Sequence, residues 1–268
     1  MGWLFGRGKA RSGPREIAPT PEPEPPEPPT PDPAPEPDLT AEPAAEDGGL
    51  VAPRPSPDEA LAMLREGNAA FLRGESNLGH VKADDLDRLQ GGQHPIATIV
   101  GCADSRTPPT ILFNQGFGRL FSIRVAGNTV DRRGLASIVY AVKHLQCPLV
   151  VVMGHTGCGA VAAAEAIVDG KATLDPSLEE MIVPIIPAVL DARRSDAADM
   201  AVRAVEENAR RVAEKLAVAD ASLADAIAAG DLKVLAAVKL MHSGEVRFLG
   251  DARPAAPAAA AEPALEPA

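Results

Sequence analysis

The chain reads as an α/β protein: a mostly parallel four-stranded sheet with an added antiparallel edge strand and helices on both faces. Three observations predict this. Short apolar runs at Ile96–Gly101, Leu120–Val125 and Pro148–Met153 alternate with stretches of helical periodicity. The third run is continuously apolar and rich in Val, as a strand buried on both faces would be. Two closing runs, Leu232–Met241 and Val246–Leu249, flank Ser243-Gly244 and predict a hairpin. Strands that alternate with helices form a parallel sheet covered on both sides, and the last hairpin adds the antiparallel strand.

The elements follow in order. Ser56-Pro57-Asp58-Glu59 is a helix start, with proline in the first turn and acids near the positive end. Leu61, Leu64, Ala69, Phe71 and Leu72 continue it as an apolar stripe up to Gly74. After the first two strands, 133–146 reads as a helix. After the third, 157–169 opens on glycine and continues as an alanine-rich helix. Further helices are predicted over 177–193, 198–218 and 221–229.

The folded domain is therefore expected over 56–250, between two disordered tails, 1–55 and 251–268. Residues 16–50 hold ten Asp/Glu, no Lys/Arg and many prolines. Such a segment cannot bury enough apolar surface to offset its conformational entropy. Ahead of it lies a basic-apolar tip, Trp3-Leu4-Phe5 with Arg7, Lys9, Arg11 and Arg15, which could dock on an unidentified partner. The C-terminal tail is rich in Ala, Pro and Glu.

Composition limits the function. Apolar residues make up 46% of the chain and aromatics 3%, so the core is built from Val, Ile, Leu and Ala. A net charge of −11 argues against nucleic-acid partners. No apolar run reaches the roughly 18 residues a transmembrane helix needs, and no secretory signal pattern opens the chain. A cytoplasmic location is expected. Three cysteines far apart suggest metal binding or burial in place of a disulfide framework.

Two loops carry chemistry. Cys102-Ala103-Asp104-Ser105-Arg106 follows the first strand, and His155-Thr156-Gly157-Cys158-Gly159 follows the third. Loops that follow parallel strands emerge together at the carboxyl edge of the sheet. They meet if their strands are neighbours. Two thiols and one imidazole suit zinc (Zn2+) and leave a fourth position open, where water is acidified to a hydroxide nucleophile. If the first loop is extended, Cys102, Asp104 and Arg106 share a face. Arg106 would then hold Asp104 ionised by a forked bond. Asp104 would orient the water or, in a closed state, take the fourth position itself. Cys147 reads as a buried structural cysteine. His80, His94, His144 and His242 read as surface or structural residues.

With these motifs in place the chain resembles the β-class carbonic anhydrases. The likeness spans about residues 57 to 249 and includes Gly67-Asn68 with Phe71, Arg124 to Asn128, and Tyr140-Ala141-Val142. It implies a zinc enzyme that interconverts carbon dioxide and bicarbonate, with Cys102, His155 and Cys158 as ligands and Asp104 and Arg106 as a catalytic dyad. It also implies a substrate pocket at a dimer interface, formed by Gln93, Phe121, Ala126, Tyr140 and Gly159, in a homodimer or tetramer. Some bacterial members bind an inhibitory bicarbonate with a Trp and an Arg. Arg124 matches that Arg, but Ile99 stands at the Trp position. Arg119 stands where an acid is common. The alternatives are hydrolysis of carbonyl sulfide or carbon disulfide at the same site, and a catalytically silent scaffold stabilised by zinc.

Overall fold

The computed structural model describes residues 54–75, 87 and 89–251. Nearly all of the two expected tails, the basic-apolar tip and His80 lie outside them.

Helix α1, Pro57–Leu72, starts on a complete capping box: the Ser56 side chain accepts from Glu59 N–H while the Glu59 carboxylate accepts from Ser56 N–H. A cap of this kind stabilises a helix by about 1 kcal/mol. Gly67 is needed for packing, because a Cβ there would come within 1.8 Å of the Phe113 carbonyl oxygen. The buried Asn68 amide donates to Leu112 O and Gly244 O and accepts from Val246 N–H. It thereby ties α1 to two distant turns.

The remaining elements are β1 (Ala97–Gly101), α2 (Pro109–Leu112), β2 (Leu120–Arg124), a 3₁₀ turn (Ala126–Asn128), α3 (Arg132–Lys143), β3 (Leu149–His155), α4 (Gly159–Val168), α5 (Glu179–Ile182), α6 (Ile186–Arg193), α7 (Met200–Ala219), α8 (Ala221–Ala229), β4 (Lys233–Lys239) and β5 (Val246–Asp251). The sheet order is β2-β1-β3-β4-β5, parallel throughout except for the β4–β5 pair. The expected four parallel strands and antiparallel edge are all present. Every residue of β1 and β3 is buried. Ile99, Val151 and Met153 face the α1 side with Leu64 and Phe113. Val100, Val150 and Val152 face the opposite side with Ile138, Ala213 and Leu223.

One expectation needs correction. The single helix over 177–193 is broken into a 3₁₀ turn, α5, a second 3₁₀ turn (Val183–Ile185) and α6. Pro184 and Pro187 lack the N–H an unbroken helix needs and crowd the preceding turn, so each sits in the first turn of a new segment. The short helix α2 was not expected; Pro109 starts it.

Candidate metal centre and its surroundings

β1 and β3 are hydrogen-bonded neighbours, with Gly101 opposite Met153. Cys102 leaves β1 one residue later, and β3 runs on to His155. Cys158 occupies the cap position of α4 without capping it. The two loops therefore meet: the ligand-type atoms of Cys102, His155 and Cys158 lie within 4.8 Å of one another, and all three residues are buried. The two sulfurs are 4.0 Å apart.

The imidazole is set for ligation. His155 is 1% exposed, and its Nδ1 lies 3.1 Å from Thr156 O, which places the ring proton there. Its Nε2 is buried and has no hydrogen-bond partner. An orphaned buried nitrogen is costly, and a cation between it and the two sulfurs removes that cost. The Cys102 thiol is held far below its ordinary range, first by the Cys158 side chain and then by His155 and the N–H groups of Asp104 and Gly127. Cys158 is pushed up by Cys102 and by burial. Two thiol sulfurs and one bare imidazole nitrogen fit a borderline-soft divalent ion.

The first loop is turned, which corrects the extended reading. Thr107 N–H donates to Asp104 O, closing a tight turn. Arg106 reaches Asp104 around this turn, with Nε to Oδ1 at 2.9 Å and Nη2 to Oδ2 at 2.6 Å, and its backbone N–H also donates to Oδ1. The Arg106 fork holds the Asp104 carboxyl well below the usual carboxylate range. Arg106 itself points outward, at 59% side-chain exposure against 18% for Asp104. The Asp104 Oδ2 lies 3.8 Å from His155 Nε2, at the edge of the donor set.

Arg124, the last residue of β2, donates to Cys102 O at 3.0 Å and Asp104 O at 2.6 Å, clamping the loop. The spacing of residues could not reveal this contact. Lys239 has no local signal in the sequence either. It pairs with His155 across β3–β4, is 6% exposed, and its ammonium donates to Met241 Sδ at 2.8 Å. Burial and Arg106 lower its pKa while Asp104 raises it. Ile99 is buried in the core on the α1 side of the sheet.

The expected pocket residues do not all converge. Ala126 opens the 3₁₀ turn beside Gly127, and Gly159 starts α4 next to Cys158. Phe121 and Tyr140 form a ring pair at 6.4 Å, and Tyr140 stacks on His144. Gln93 is exposed ahead of β1. Ile96, three residues later, bonds to Arg119 O at the amino edge of the sheet. At about 3.3 Å per residue, that edge is roughly 20 Å from Cys102.

The carbonic anhydrase family profile matches residues 97–246. Carbonic anhydrase 2 of Mycobacterium tuberculosis is 36% identical over 195 residues, which covers 72% of this chain and 92% of that protein. The chain belongs to the β-carbonic anhydrase family. Among solved β-carbonic anhydrases, CafA of Aspergillus fumigatus superposes with a TM-score of 0.57 at 28% identity, covering 74% of this chain and 92% of that one. One of two tetrameric β-carbonic anhydrases of Sordaria macrospora gives 0.57 at 25% identity, covering 69% and 94%. The likeness to the β-carbonic anhydrases thus spans both the sheet and the two loops. Among the described residues no helix is long and apolar enough to cross a membrane.

Proposed function

We propose that this chain catalyses the reversible hydration of carbon dioxide to bicarbonate and a proton, using a zinc ion held by Cys102, His155 and Cys158. The observation that carries the reading is the convergence of two sulfurs and an orphaned imidazole nitrogen within 4.8 Å, beside a carboxylate kept ionised by its arginine. Zinc bound there supplies the acidity that turns water into a nucleophile at neutral pH.

The chain's own groups do the rest. The sulfurs of Cys102 and Cys158 and the Nε2 of His155 form the ligand set, and Thr156 O fixes the tautomer that leaves Nε2 bare. Asp104 is the catalytic acceptor. At neutral pH it has no proton, so its free lone pairs take the hydrogen bond of the attacking water and aim the oxygen at the substrate carbon. Arg106 occupies both Asp104 oxygens from the solvent side and keeps the carboxylate in place. Asp104 Oδ2 lies 3.8 Å from His155 Nε2, beside the three donor atoms, where it would meet a water bound at that centre. Proton release then proceeds to solvent buffer.

The substrate pocket is assigned to Ala126 and Gly159 from this chain and to Gln93, Phe121 and Tyr140 at an interface between two copies. The distance of Gln93 from its own Cys102 supports an interface, as does the tetrameric state of the Sordaria relatives. A cytoplasmic setting suits two free thiols 4.0 Å apart, which an oxidising compartment would put at risk.

The test is metal analysis together with turnover on carbon dioxide and carbonyl sulfide side by side. Stoichiometric zinc is expected, with faster turnover of carbon dioxide. Asp104→Ala should retain zinc and lose about 10²- to 10⁴-fold in turnover. A chain without zinc, or one that prefers carbonyl sulfide, refutes the reading.

A further inference from the structure

Asn208 lies on α7, outside the ligand loops, yet it reaches them. It is 1% exposed on a helix face otherwise made of Ala204, Val205 and Ala209. A buried amide is retained at such a position only if it is bonded. Its Nδ2 donates to Gly127 O at 2.8 Å and lies 3.5 Å from Asn128 Oδ1.

The turn it grips is unusual. Gly127 has φ +74° and Asn128 φ +48°, two left-handed residues in succession. Such backbone is uncommon outside glycine and persists only where the surroundings hold it. Two features do so here. Asn128 N–H closes back on Val125 O at 2.9 Å. The turn is also wedged: a Cβ on Gly127 would come within 2.6 Å of Ile185 Cδ1 and 3.0 Å of Ala160 Cβ. The reversal points Gly127 N–H at Cys102 Sγ, 3.3 Å away. Asp104 N–H supplies the second donor to the same sulfur at 3.4 Å.

A continuous path therefore runs from the α7 side chain through Gly127 to the ligand sulfur. We propose that Asn208 is a positioning residue for the metal centre: by holding Gly127 O it keeps the Gly127 N–H aimed at Cys102 Sγ. That hydrogen bond draws charge from the sulfur and fixes the direction of its remaining lone pairs. Partners of this kind orient a ligand and tune the ion it holds. The inference rests on the metal site proposed above.

The experiment uses the full chain and two readouts besides turnover. One is zinc affinity, measured by competition with a chromophoric chelator. The other is the sulfur-to-metal charge-transfer band of the cobalt(II)-substituted protein. Asn208→Ala is expected to lose about 10- to 100-fold in zinc affinity and to shift the band. Leu223→Ala, a buried apolar change on α8, should lower thermal stability and leave both readouts at the wild-type values. Asn208→Asp, which keeps the shape and loses the donor, carries the same test if the alanine variant does not fold. The wild-type protein loaded with cadmium-113 should also show a coupling between the metal nucleus and the Gly127 amide proton. Wild-type affinity and an unshifted band in a folded Asn208 variant, or absence of that coupling, overturns the inference while the zinc site stands. Failure of the wild-type chain to bind zinc overturns both.

Discussion

Cys147 and Cys102 are both buried, 1% and 4% exposed, and lie at opposite edges of one sheet. At the amino edge, Cys147 Sγ receives a hydroxyl hydrogen bond from Thr98 and donates its own proton to Leu149 O. Burial pushes that thiol up, and it stays neutral. At the carboxyl edge, Cys102 Sγ faces a second sulfur, an imidazole and two N–H donors, and it is driven down. Burial alone does not set the charge of a thiol. The difference lies in what surrounds each sulfur: a hydroxyl and a carbonyl at one edge, a second sulfur and an imidazole, with two backbone N–H groups, at the other.

The largest expected effect tests that contrast directly. Cys102→Ala should abolish stoichiometric zinc and bring turnover to background. Cys147→Ala should cost about 1–2 kcal/mol of stability and leave metal content and turnover intact. Zinc analysis and thermal unfolding of the two variants decide it, and equal zinc loss in both would erase the distinction between the edges.

The next effect concerns Gln93, which stands at the amino edge of its own chain. Gln93→Ala is expected to lower kcat/KM by about tenfold, the scale of one lost polar contact. Mixed with Cys102→Ala, it should recover activity, because in the proposed dimer a hybrid would hold one site with both residues intact. No recovery on mixing would return Gln93 to its own chain's site, or to none.

A smaller effect is one of pH. The folded-state pKa of Asp104 is depressed, chiefly by the Arg106 fork, so the stabilisation is fully present above the ordinary value of 3.8 and is lost as pH falls toward the folded value. Arg106→Gln removes most of the shift. Its thermal midpoint should lie below that of the wild type at neutral pH, and the two should converge in strong acid. Parallel curves across the whole range would count against the fork as the cause.

The smallest effect comes from the tail. Asp58 in the first turn of α1 pairs with Lys233 at the start of β4, so the chain enters the fold at the amino edge, away from the ligand set. Deleting residues 1–53 should leave kcat/KM unchanged; a large loss would place part of the tail at the site.

Much of this molecule was legible in order along the chain. The apolar runs located all five strands: β1 and β3, buried along their whole length, are almost wholly apolar, and the closing hairpin carries its glycine. Cys102, Asp104, Arg106, His155 and Cys158 stood out because their side-chain types have few other reasons to cluster in two short loops. The break at Pro184 and Pro187 is also present in the sequence, inside a stretch of apolar periodicity that masks it. Lys239 and Asn208 gave no local signal. One occupies an ordinary strand end and the other an ordinary helix interior, and both matter only for what lies across the sheet or beyond the turn.

By itself the sequence determined the alternation of strands and helices, the donor types and their place after strands one and three, since these depend on side-chain chemistry and local periodicity. Only the tertiary structure decided that those strands are neighbours, and that Asn208 and Arg124 hold the two loops from other elements. The physical reason is that hydrogen bonds between groups 20 to 81 positions apart depend on how the layers pack, and no short stretch of chain records that.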